Sequence, residues 1–136
     1  MGSRKISDLH PKMQSLYAAF DHEMKKADID YIVTCTYRSN DEQNDLYRDG
    51  RTEPGNIITN AQGGESAHNF TIDGKPAALA FDIAIFRNGK LDWNAKNPGW
   101  QSAGQLGLIV GLDWAGVWKR FREYPHFQLP KWRLET

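Results

Sequence analysis

The sequence predicts a small α+β domain: a central, mainly antiparallel sheet with helices packed on one side. Three observations carry that reading. Residues 13–24 bear apolar side chains at helical spacing, residues 29–37 alternate as a strand does, and residues 78–86 form an apolar run ending in an Asn88-Gly89 hairpin signal. The chain has 136 residues, a length that suits one compact domain over 1–136.

The elements follow in order. Met13, Leu16, Tyr17, Phe20 and Met24 share one helical face, Pro11 suits a first-turn position, and Lys25, Lys26 and Asp28 close the segment. His10 and His22 fall on this helix as surface residues. In residues 29–37, β-branched and aromatic types dominate, as strands favour. Ser39 and Glu42 then match a capping box, so a short helix should run from there to about Gly50. Residues 51–77 are rich in Gly and Pro and read as a long loop, which in a small domain is often functional. Residues 78–86 read as a central strand, interrupted by one charge, Asp82. A Gly-rich helix is expected over 98–110, an aromatic and basic connection over 114–121, and a last short strand over 127–129.

Composition excludes several classes. Lys plus Arg number 17 against 17 Asp plus Glu, which argues against a dedicated nucleic-acid binder. No apolar run approaches the length of a membrane span, and no segment reads as a signal peptide. The expectation is a protein made in the cytoplasm, monomeric and not inserted in membranes. The single cysteine, Cys35, excludes internal disulfides and sulfur-rich zinc sites.

The residues with chemistry lie in three segments: Ser66-Ala67-His68, Ala80-Phe81-Asp82 and Glu123-Tyr124-Pro125-His126-Phe127. Two histidines and one aspartate can hold three positions of a tetrahedral zinc site and leave the fourth open, as catalytic sites do. Asp82 in an apolar strand needs a partner or a metal, because burying a lone carboxylate is costly. Such a site also needs a carboxylate off the metal as general base, and Glu123 lies three residues before His126. Arg38, between a strand end and a helix start, suits an oxyanion or a substrate carboxylate. Cys35 with His68 offers a competing nucleophile–base pair, although a thiol on a strand face with Val33 and Tyr37 reads as core. Trp114 and Trp118 are candidate pocket walls.

These segments resemble the VanY-like and L-alanyl-D-glutamate endopeptidase branch of the zinc peptidases that group lysostaphin, D-Ala-D-Ala carboxypeptidases and the hedgehog domain. Ser66, His68, Ala80 and Asp82 match the family's first ligand pattern, and Glu123, Pro125, His126 and Phe127 match the second. Thr36-Tyr37-Arg38-Ser39 with Gln43 and Tyr47, then Gly50-Arg51-Thr52 and Ile58-Thr59-Asn60-Ala61, match upstream segments. The likeness runs from about residue 9 to 129. It implies one Zn2+ in an open groove on the sheet, held by His68, Asp82 and His126. It implies Glu123 as base, Arg38 at the oxyanion or substrate, and Ser66 and Gln43 in support.

It further implies hydrolysis of an amide bond in bacterial peptidoglycan, by a phage-type endolysin with no separate wall-binding domain, acting on the wall after release. The L-Ala–D-Glu bond is the favoured target. A D-Ala-D-Ala carboxypeptidase is the alternative within the family, and a non-hydrolytic zinc-binding module the alternative outside it. The chain departs from the pattern in two places: Ala78 replaces the usual glycine before A-x-D, and fourteen residues separate His68 from Asp82, with an inserted turn around Asp73-Gly74, which makes Asp73 a rival ligand. The rigid strand around Asp82 favours that residue. Lys119, Arg120, Arg122, Lys131 and Arg133 bracket Glu123 and His126 and are expected to draw the polyanionic wall towards the cleft.

Overall fold

A computed structural model describes residues 2–120 and 122–135; Phe121, in the expected aromatic connection, lies outside them. The first helix, α1 (Pro11–Lys26), is capped by His10, whose Nδ1 accepts the Lys12 N–H at 3.0 Å. His10 is therefore buried against Phe70 rather than on the surface, whereas His22 is exposed. Met13, Phe20 and Met24 of α1 are buried as the periodicity predicts.

Strand β1 (Tyr31–Cys35) is shorter than the sequence suggests. Beyond Cys35 the backbone leaves the sheet: Thr36 and Tyr37 pair instead with Ser3, through N–H···O bonds of 2.7 Å in each direction. The helix α2 (Asn40–Arg48) carries both arms of the Ser39/Glu42 capping box. Most of 51–77 is turns, with a single 3-10 turn over Ala67–Asn69 and a two-stranded hairpin of β2 (Thr71–Ile72) and β3 (Lys75–Pro76). Asp73 and Gly74 form its tip, both at positive φ, in the backbone conformation of a tight hairpin turn. His68 thus lies in a 3-10 turn within the expected loop.

The central strand β4 (Ala80–Arg87) turns at Asn88-Gly89 into β5 (Lys90–Leu91). After α3 (Pro98–Val110) come β6 (Asp113–Trp114), whose Trp114 was expected to open a connection, and β7 (His126–Gln128). The sheet order is β1-β4-β7-β6, with β5 on β4, and every pairing is antiparallel.

One face of the sheet is the core. Phe81 of β4 and Phe127 of β7 stack at 5.4 Å, and Phe20 of α1 meets both. Helix α3 joins this layer by close approach. A Cβ on Gly104 would overlap the buried Trp114 indole, and one on Gly107 would overlap the Phe127 ring. Glycine is used here for packing, not for backbone freedom. We expect Gly104→Ala to cost about 1–3 kcal/mol, since overpacking forces neighbours off their rotamers. Thermal unfolding should show a Tm lowered by roughly 3–10 °C; an unchanged Tm would contradict this packing. Alternation along β4 and β7 leaves Asp82 and His126 on the other face, and there the chemistry collects. Among the described residues, no helix is long and apolar enough to cross a membrane.

Candidate active site

Sheet register builds the site. Asp82 lies directly opposite His126 on one side and Cys35 on the other. The pairing with Cys35 depends on a register shift between Val33 and Cys35, a bulge of the kind that re-aims side chains beside active sites. His68 arrives from the Ala67–Asn69 turn, whose N-cap Ser66 accepts the His68 N–H at 3.2 Å. Asn69 ties that turn to the Arg38 carbonyl at 2.8 Å, and the His68 carbonyl accepts the Arg38 N–H at 3.0 Å.

The side chains converge on one carboxylate oxygen. His68 Nε2 lies 3.1 Å and His126 Nδ1 2.9 Å from Asp82 Oδ1. Each ring is held by its outer nitrogen. His68 Nδ1–H donates to the Thr36 carbonyl at 2.7 Å, and His126 Nε2–H donates to Gln128 Oε1 at 2.8 Å. With both protons committed outward, two imidazole lone pairs and a carboxylate face inward. Three electron-rich groups so placed call for a positive charge. Their nitrogen and oxygen donors, with the outer nitrogens oriented by oxygens, suit a zinc-type cation.

Where no cation is bound, a proton on His68 supplies that charge instead. Desolvation works against the His68 imidazolium, yet the Asp82 carboxylate outweighs it and raises the pKa. Desolvation likewise works against the Asp82 anion, but the two histidines, His68 foremost, hold its carboxyl well below the usual range.

Arg38 approaches the second oxygen of Asp82, with Nη2 3.9 Å from Oδ2. Its Nη1 donates to Gln43 Oε1 at 3.0 Å, and the buried Gln43 donates in turn to the Ala61 carbonyl at 2.9 Å. Gln43 thereby ties Arg38 to a loop bordering the groove.

Glu123 stands on the rim of a groove of about 790 Å³ that also exposes His126, Trp118, Ser66 and Gln128. Its backbone is pinned by the Ala115 carbonyl at 3.2 Å, and among the described residues its carboxylate has no hydrogen-bond partner. The side chain reaches solvent, yet the groove walls desolvate it enough to raise its pKa. The Asp82 charge adds to the rise, while His126, His68 and Arg38 oppose it.

Several expectations change. Trp118 does border the groove, its ring 5.7 Å from His126. Trp114 does not: it is fully buried beneath the sheet, and its Nε1–H donates to the Tyr124 carbonyl at 2.8 Å. Of the five basic residues near the cleft in sequence, Arg122 and Arg133 line the groove, and Lys119, Arg120 and Lys131 are exposed but do not line it. Asp73 sits on the exposed hairpin tip, whereas Asp82 meets both histidines.

Cys35 is closer to the site than its core assignment suggests. Its Sγ lies 3.6 Å from Arg38 Nη2 and 3.8 Å from His68 Nδ1, and Cys35, His68 and Asp82 form a tight donor group. The nucleophile reading loses support, because His68 Nδ1 already donates to Thr36 and is not free to take the thiol proton. Sequence reasoning missed Gln128 and the Thr36 carbonyl. Gln128 was findable: residues two apart on a strand share a face, so a strand begun at His126 rather than at Phe127 would have paired them.

The proteins that match this chain by sequence are peptidases. The family profile for VanY, D-alanyl-D-alanine carboxypeptidase, matches residues 6–97, and the chain belongs to that family. It is 36% identical over 131 residues to the peptidoglycan L-alanyl-D-glutamate endopeptidase CwlK of Bacillus subtilis (strain 168), covering 90% of this chain and 74% of that one. The fold resembles the crystal structure of Serratia marcescens L-Ala D-Glu endopeptidase ChiX, with a TM-score of 0.67 at 18% identity over 95% of this chain and 88% of that one. The LD-carboxypeptidase LdcB also resembles it, with a TM-score of 0.64 at 18% identity over 89% of this chain and 58% of the other.

Proposed function

We propose that the protein is a zinc-dependent peptidoglycan peptidase that hydrolyses the L-alanyl–D-glutamate bond of the stem peptide. The observation that carries this reading is the convergence of His68, Asp82 and His126 on one point beside a groove rimmed by an unpartnered Glu123. Kinship with CwlK supports the choice of bond. His68 Nε2, Asp82 and His126 Nδ1 would hold one Zn2+. The chemistry such an ion supplies when bound is Lewis acidity towards the scissile carbonyl and the attacking water.

This chain's residues do the rest. Glu123 takes a proton from the attacking water and returns it to the leaving amine, a task its raised pKa suits. Arg38 steadies the developing oxyanion or a substrate carboxylate with a fork already aligned by Gln43. Trp118 supplies an apolar wall. The arginines Arg122 and Arg133 draw in the anionic wall polymer, an effect that weakens with salt. We assign this reaction to a monomeric phage-type endolysin working on the wall after release; that role rests on the resemblance of the matched motifs to the endolysin branch.

The test is mass spectrometry of muropeptides after digestion with the zinc-loaded protein. New amino-terminal D-glutamate on the released peptides is the expected result. Loss of a terminal D-alanine alone would instead indicate the carboxypeptidase reaction for which the family is named, and intact muropeptides would leave the non-hydrolytic module.

A further inference from the structure

The two imidazoles at the centre are oriented by different means. His68 leans on a backbone carbonyl, which no substitution removes. His126 leans on a side chain, Gln128, two residues along the same strand. Gln128 lies opposite Ala80 of β4, on the face that carries Asp82 and His126. Gln128 Oε1 accepts the His126 Nε2–H at 2.8 Å, while His126 Nδ1 faces Asp82 Oδ1 at 2.9 Å. A neutral imidazole carries one ring proton. Whatever accepts that proton at Nε2 decides that the lone pair sits on Nδ1, the atom turned inward.

We propose that Gln128 is a positioning residue for the metal centre: through its Oε1 it locks His126 in the Nε2–H tautomer and so sets the site's affinity for zinc. The proposal rests on the His68, Asp82 and His126 ligand set, but its readout is metal binding rather than hydrolysis, so an inactive protein would not overturn it. Removing the partner of a ligating histidine typically costs roughly 10–100-fold in metal affinity.

The experiment is a zinc competition titration against a chromophoric chelator, paired with 15N NMR of the histidine side chains. The parent, Gln128→Ala and Gln128→Glu are compared as full chains. We expect Gln128→Ala to bind zinc roughly 10–100-fold more weakly and its His126 signals to move towards a mixture of tautomers. Gln128→Glu retains an acceptor and should keep the Nε2–H tautomer and bind zinc at least as tightly as the parent. A Gln128→Ala protein with unchanged affinity and an unchanged His126 spectrum would overturn the proposal. So would a Gln128→Glu protein weakened as much as the alanine variant, since that pattern reports packing rather than the acceptor. If the alanine variant does not fold, Gln128→Met, which keeps the side chain's length and lacks the acceptor, takes its place under the same criteria.

Discussion

Glu123→Gln is expected to slow release of stem-peptide fragments from purified walls by about 10²- to 10⁴-fold, the usual range for a general acid–base group. Zinc affinity and Tm should stay close to the parent's. The reason is where the carboxylate sits. It stands on the groove rim, and among the described residues no hydrogen bond holds it. Glutamine preserves its size and removes only its capacity to take a proton. A carboxylate built for stability would be paired. This one is unpaired and has a raised pKa, with desolvation as the main cause. The measurement is a wall-clearing rate beside a zinc titration. A Gln variant that clears walls as fast as the parent would end the mechanism. One that loses zinc as well would make Glu123 a ligand rather than a base.

Asp82→Asn should remove zinc binding and hydrolysis together and destabilise the protein. Both histidines meet at one oxygen of Asp82, so the change leaves them without the anion that pairs them. Removing one partner of a buried ionic cluster typically costs about 3–5 kcal/mol. The loss should depend on pH in a defined sense.

In the metal-free parent, Asp82 has a carboxyl pKa lowered from 3.8, so its contribution is present above pH 3.8 and fades on further acidification. His68 has a pKa raised from 6.5 to about 10, so its contribution is complete below pH 6.5 and fades as pH rises towards the folded value. The difference in Tm between parent and variant, both with chelator, should therefore be greatest between those two ordinary values and shrink on either side. Added zinc should raise the parent's Tm and leave the variant's unmoved, because a ligand stabilises only the state that binds it. A Tm gain on adding zinc to Asp82→Asn would remove Asp82 from the ligand set.

Local pattern made much of the fold legible. The helical face of α1, the Ser39/Glu42 capping box, the Asn88-Gly89 turn and the bounds of α3 all depend on neighbours within a few residues. The strand edges were less legible. Residues 36 and 37 have strand-like types, but Ser3 takes their hydrogen bonds, and nothing near them in the chain says so. Trp114 showed the same limit. Its proximity to His126 in sequence suggested a pocket wall, but glycines at 104 and 116 open a place for the indole under the sheet. Cys35 read as core by its strand neighbours, and the bulge beside it moved it next to His68 and Arg38.

By itself, the sequence determined which chemistry was available: two histidines, an aspartate stranded in an apolar run, a glutamate three residues ahead of one histidine, and no cysteine pair to compete. Residue type and short spacing are local properties, and chemistry of this kind is written in them. Only the tertiary structure decided which ring nitrogen faces inward, that Gln128 and the Thr36 carbonyl hold the outer ones, and that Arg38 meets Asp82. Those outcomes depend on β-register and a one-residue bulge, and a register is settled by the whole sheet at once.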